Sequence, residues 1–169
     1  MAPLALATGG LFYAWLANDI EEYLTMPGLR HPMLTRVNLG TEPDGALSRD
    51  QVDLALTAMG ALFAAAAIDG YRTGGRSPFY QAALYGYGMH GFIHLGSALA
   101  LRGYTSGVAT APVVLGFWAF ANRTLRAHGV EPRPHRWTIG AFAPVGLATH
   151  LAAKAVVQHC ASRRQLVGA

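Results

Sequence analysis

The sequence predicts an all-α fold, a polytopic membrane helical bundle of about five transmembrane helices that forms one domain over residues 1–169. Three observations carry this expectation. Charged residues are 13% of the chain and hydrophobic residues 52%, against a usual charged share of roughly 25%. The charges are confined between the uncharged runs Ala2–Asn18, Leu54–Ile68, Ser77–Leu101, Gly103–Asn122 and Trp137–Ala153, and spanning hydrocarbon takes roughly 17–25 apolar residues. Finally, a water-soluble helical bundle needs one polar face per helix, and these runs carry none.

The composition narrows the function classes. The formal charge of +4 comes from twelve arginines and Lys154. Arg72, Arg76, Arg102, Arg123, Arg126, Arg133 and Arg136 fall at the ends of the runs, where they anchor helices to head groups. No basic stripe with interleaved aromatics appears, so no nucleic-acid partner is expected. Cys160 stands alone, which excludes a disulfide framework and a cysteine-based zinc site. The start lacks a basic segment and a small-residue cleavage site, so the first run is expected to remain as a span. The expected placement is an integral membrane of the bacterial inner-membrane type, with the lipid bilayer as a partner.

Each element has a local justification. Helix one is expected over about Pro3–Met26, stopped by Pro27. A connection of more than twenty residues follows, with turn signals at Pro27-Gly28, His31-Pro32 and Glu42-Pro43-Asp44-Gly45. Helix two opens on Ser48-Arg49-Asp50-Gln51, a capping box with Ser48 as N-cap and Gln51 at N3, and ends near Asp69–Arg72. Helix three is Ser77–Leu101, with Ser77 as cap and Pro78 at the first position; Gly86, Gly88, Gly91 and Gly96 suit close contact with several neighbours. Helix four is expected over about Tyr104–Arg123 with a kink at Pro112, and helix five over Trp137 to about Cys160. The Ala- and Gly-rich spans permit helix-mediated homo-oligomers.

The candidate site starts from Ala17-Asn18-Asp19-Ile20-Glu21-Glu22-Tyr23, which sets three acids at the end of an apolar helix. Buried acids are costly and mark function. Asn18, Glu21 and Glu22 stand at i, i+3 and i+4 and share a face. His90 and His94 lie one turn apart in helix three, flanked by Tyr87, and offer two imidazoles to one metal. His150 lies mid-helix in the fifth span with Lys154 on the same face. His159 is expected at the interface, and His31, His128 and His135 in solvated loops. In an up-and-down bundle helices one, three and five run the same way. Glu21 and Glu22 precede Pro27 by six and five residues, His94 precedes Arg102 by eight and His150 precedes Cys160 by ten. At about 1.5 Å per residue these groups fall at one depth. A metal set of His90, His94, Glu21, Glu22 and His150 would suit iron, manganese or zinc. The same groups without metal form an acid–base site built on Glu21, Glu22, His150, Asn18 and Tyr87.

The Asn18–Tyr23 segment resembles the signature of the small integral-membrane proteins named for an HXXEE motif. Glu21 and Glu22 match the two motif glutamates, and Asn18 stands in place of the motif histidine. His90-Gly91-Phe92-Ile93-His94, followed by Arg102-Gly103-Tyr104-Thr105-Ser106-Gly107, resembles the family's second patterned region. The likeness covers helices one to four. It implies a membrane protein with a polar site and no particular reaction, and the Asn18 replacement leaves any metal to the other residues.

Three functions follow as expectations. The first is a membrane enzyme whose Glu/His cluster, with a divalent metal, acts on a small lipophilic substrate. The second is a metal-free cyclase or isomerase of the membrane terpene type, in which a buried Glu is the general acid and Tyr13, Trp15, Tyr87 and Trp118 stabilise a cation. The third is a non-enzymatic carrier or structural membrane subunit.

Overall fold

Serine, proline and glycine set the helix boundaries in the computed structural model, which describes residues 2–27, 38–131 and 136–167, with side chains over 2–27, 38–131 and 144–164. Among the described residues there are five helices and no strand: α1 (Ala2–Thr25), α2 (Arg49–Thr73), α3 (Pro78–Leu101), α4 (Ala111–Ala127) and α5 (Arg136–Val167). The all-helical expectation holds. By length and composition, α2 is the one helix among the described residues apolar enough to cross a membrane, where five were expected. The acids and Asn18 dilute α1, the tyrosines, glycines and histidines dilute α3, and α4 has 17 residues.

Local chemistry explains most boundaries. Ser48 accepts from the Gln51 amide at 3.3 Å, but the Gln51 side chain does not close the box. Its amide instead donates to the Leu39 carbonyl at 2.7 Å and the His150 carbonyl at 3.2 Å, tying α2 to the preceding loop and to α5. At the other end of α2, Gly74 takes a left-handed cap with φ 60°. Ser77 accepts from the Phe79 and Tyr80 amides and donates to the Asp69 carboxylate. Gly45, at φ 81°, closes the turn begun at Glu42. The signals at Gly28 and His31-Pro32 lie outside the described residues.

Helix four differs from expectation. Pro112 does not kink a helix running from Tyr104; it sits in the first turn of α4, which starts at Ala111. A proline has no N–H to lose there and its φ is already helical. Residues 103–110 form a turn-rich loop, with Gly107 at φ 83°. Arg123, the expected end of helix four, is followed by a further turn of α4 that includes Arg126, and α5 runs beyond Cys160.

The packing is organised around a diagonal. α1 lies against α2 and α4, and α3 against α2, α4 and α5, while α1 and α3 barely meet by backbone. Long side chains bridge them. The Tyr80 hydroxyl donates to the Ala7 carbonyl at 2.7 Å and the Tyr87 hydroxyl to the Ala14 carbonyl at 2.5 Å. Both rungs join residues 73 apart, so α1 and α3 run in the same direction, as the depth comparison assumed. Rings fill the space beside them: Trp15 stacks on Phe63 with centroids 5.6 Å apart, and Phe63 meets Tyr87 edge-on at 5.8 Å.

Glycines make room for these rings. A Cβ at Gly60 would come within 2.9 Å of Trp15, and one at Gly88 within 2.5 Å of Trp118. A Cβ at Gly70 would run into the Tyr80 ring, whereas one at Gly96 would meet nothing, so Gly96 is not a packing notch. Tyr80 is fully buried and has no open space to turn into. Gly70→Ala is therefore expected to destabilise the fold by about 1–3 kcal/mol through overpacking, and Gly96→Ala to be neutral or mildly stabilising. Thermal midpoints of the two purified variants beside wild type check this contrast.

Candidate metal centre

The third bridge along the α1–α3 diagonal is made of titratable groups. Glu22, near the end of α1, is 7% exposed, and His94, seven residues after Tyr87, is 8% exposed. Glu22 Oε1 lies 3.2 Å from His90 Nε2 and 3.0 Å from His94 Nε2, and the two nitrogens are 2.8 Å apart. Three ligand atoms thus form a nearly equilateral triangle. Adjacent donors around an ion at about 2.0–2.1 Å stand roughly 2.8–3.0 Å apart in octahedral and roughly 3.3–3.4 Å apart in tetrahedral sites, so the spacing fits a cation.

Proton counting leads the same way. Each Nε2 carries at most one proton, and the carboxylate oxygen carries none when ionised. Two protons satisfy at most two of the three edges, so one edge always sets two lone pairs or two N–H groups against each other. A cation on the triangle removes that conflict.

The other expected site residues are placed as follows. Glu21 is one residue, about 100°, round the helix from Glu22 and does not join the triangle. Its carboxylate accepts from the Ala109 amide at 3.1 Å, the Thr110 amide at 2.8 Å, the Thr110 hydroxyl at 2.7 Å and the Tyr104 hydroxyl. Thr25 adds a bond to Ser106 at 2.7 Å. Glu21 is thus a clamp that holds the 103–110 loop on the end of α1 and supplies the capping acceptor for α4. The bond that Tyr104 donates to Glu21 pushes its phenol above its ordinary pKa.

Asn18 is 1% exposed and accepts from the Thr110 hydroxyl at 3.1 Å, so the motif-histidine position serves the loop and not the triangle. Tyr87 is committed to the Ala14 carbonyl and is a structural rung. His150 is outside the triangle but lines a cavity of about 260 Å³ together with Glu22 and His90. Its Nδ1 has no partner among the described residues. Trp15, Phe63, Met59 and Ile93 supply apolar walls. Of the four aromatics considered for cation stabilisation, Trp15 alone lines this cavity; Tyr13 is 71% exposed and Trp118 packs over Gly88.

Lys154 donates to the Asn38 carbonyl at 2.5 Å. His128 sits at the end of α4 with Nδ1 2.8 Å from the Thr124 carbonyl, and His159 is exposed. His31 and His135 lie outside the described residues.

Two contributors were not among the expected site residues. Asp19 is 5% exposed and lines the same cavity; its membership of an acidic run in an apolar helix was the available clue. Gly107 lies flat against the His94 ring, where a Cβ would collide with the imidazole.

A family model described as a protein of unknown function with HXXEE motif matches residues 10–121. That span contains the whole triangle and the 103–110 loop and stops before α5. No curated protein and no solved structure matches the chain.

Gly107→Ala would combine a left-handed backbone with a clash against His94. The expected cost is about 1–3 kcal/mol of stability. A chemical-shift change in the His94 ring, with His128 and His159 unmoved in the histidine NMR spectrum, checks that the strain reaches the triangle.

Proposed function

The chain belongs to the HXXEE-motif family, and from that premise we propose that it is a membrane-embedded metalloprotein acting on a small lipophilic substrate. Glu22, His90 and His94 would hold one divalent cation. The observation that carries this reading is the triangle of ligand atoms 2.8–3.2 Å apart, with Glu22 and His94 buried and His90 half-buried. Two imidazoles and one carboxylate with remaining positions open is a donor set that suits iron or manganese, and zinc with a fourth ligand. Such a cation would supply Lewis-acid or redox chemistry at the wall of the cavity.

The protein's own groups have separable roles. Trp15, Phe63 and Met59 exclude water. His150, facing the same cavity with its Nδ1 unpartnered among the described residues, is positioned to take or give a proton. Membrane embedding is supported by the large apolar side chains on the outside of the helices, among them Leu99 at 80%, Leu24 at 67%, Leu6 at 60% and Ile68 at 53% exposure, together with the span-length α2. Exposed patches of this kind normally mark a lipid or partner surface.

Elemental analysis of detergent-purified protein tests the reading. Wild type is expected to carry about one iron, manganese or zinc ion per chain, because a site of this donor set retains its metal through purification. His90→Ala/His94→Ala and Glu22→Ala should each lose at least nine-tenths of it, while Glu21→Ala should keep it and only lower the thermal midpoint. Wild-type protein that stays metal-free after anaerobic loading with all three metals would overturn the proposal and leave acid–base chemistry at Glu22 as the reading to pursue.

A further inference from the structure

The seam between α1 and α2 carries a feature that the metal triangle does not use. A groove of about 670 Å³ runs along it, lined by Phe12, Leu16, Ile20, Leu56 and Ala61 among others. A second hollow of about 290 Å³ continues past Gly9 and Tyr13 toward Tyr71, sharing Phe12 and Ala64 with the first. From Gly9 to Tyr23 the seam covers about 21 Å of helix. Trp15, Asp19 and Leu56 line both the groove and the 260 Å³ cavity beside the triangle, so the two spaces meet at one short wall.

This apolar seam ends in carboxylates. Asp19 and Asp53 both line the groove. Asp19 is 95% buried, the complement of its 5% exposure. Asp19 Oδ2 and Asp53 Oδ1 are buried atoms without a hydrogen-bond partner, and neither residue forms an ion pair among the described residues. The nearby Arg49 is engaged elsewhere: its guanidinium sits 4.5 Å over the Tyr23 ring and donates to the Tyr23 carbonyl at 2.7 Å. A buried carboxylate without a counter-charge is costly, and Asp19, with the half-buried Asp53 on the same apolar groove, leaves a place for a cation that the described part of the chain does not fill.

We propose that the α1–α2 groove binds a single-chain lipophilic amine, with its ammonium at Asp19 and Asp53 and its chain along the seam, and that this amine is the substrate class presented to the metal site. An ammonium offers three donors and one positive charge, which matches two carboxyl groups without a basic partner better than a neutral hydroxyl does. An unbranched chain suits a seam that is long and shallow. The substrate assignment rests on the reading that chemistry occurs beside Glu22, His90 and His94; the binding itself does not require turnover.

The test uses the full chain in a nonionic maltoside detergent at neutral pH, titrated with dodecylamine or dodecanol, with binding read from the thermal midpoint. Dodecylamine is expected to bind at least about tenfold tighter than dodecanol, the preference given by one charged hydrogen bond of about 1.5–3 kcal/mol. Asp19→Asn and Asp53→Asn should each bring the amine to within about threefold of the alcohol. Asp50→Asn, which removes an exposed acid one turn away, should leave the preference intact and so exclude a general charge effect of the micelle. Ala61→Trp should weaken both probes at least about tenfold by filling the groove.

Equal affinity of wild type for the two probes overturns the proposal whether or not any variant folds, and so does a preference that survives Asp19→Asn. Metal content of the same samples separates the two readings. Amine binding without metal removes the metalloprotein reading and the substrate assignment and leaves the binding site standing, and metal without amine preference removes this inference alone.

Discussion

The fold depends on a gap being bridged. α1 and α3 face each other across a four-helix arrangement without packing backbone to backbone, so polar side chains long enough to cross must hold that diagonal. Tyr80 and Tyr87 do it by donating to carbonyls of α1, at a cost to each hydroxyl of almost all its freedom. The third crossing, Glu22 with His90 and His94, reuses the same geometry with groups that can bind a cation. A site placed on a structural diagonal is rigid from both sides, because neither helix can slide without breaking the tyrosine rungs. That rigidity is what a preformed ligand triangle requires.

A second layer of control comes from the 103–110 loop. Glu21 holds it through four acceptor contacts, and Gly107 in turn presses on the His94 ring. The two adjacent glutamates therefore divide the work. Glu22 faces the interior and touches the histidines, while Glu21 faces the loop and fixes what covers them. Asn18, the residue set against the motif histidine in the sequence reading, falls in the loop-holding set, so the triangle does not draw on it.

Much of this was legible in the sequence, for physical reasons that can be named. Counting back from Pro27 and Arg102 set Glu22 and His94 at one depth because α1 and α3 are parallel and regular, whereas the count for His150 started from Cys160, short of the end of α5 at Val167. Ser48 and Ser77 marked helix starts because their hydroxyls satisfy local amides. What failed was azimuth. Residues three and four apart were read as one face, but a helix face is wide enough to split between two neighbours, and Asn18 and Glu21 turned to the 103–110 loop while Glu22 turned to α3. Pro112 misled because an uncharged run continued through it from Gly103, and hydropathy does not register the left-handed cap at Arg102 or the turn at Gly107 that part α3 from α4. Expected spans exceeded the helices that meet a length-and-composition criterion because the polar rungs themselves lower the hydropathy of α1 and α3.

The position of α5 has a consequence for how such a chain can change. It lies outside the diagonal, against α2 and α3, and among its described side chains Gly146 and His150 line the cavity. The triangle, its covering loop and the apolar groove are built from the first four helices. Substitutions along α5 can therefore reshape one wall of the chamber, or exchange its imidazole for another group, without disturbing the ligand atoms. The molecule separates a fixed centre from an adjustable lining, and new selectivity could be acquired on one helix at little risk to the other four.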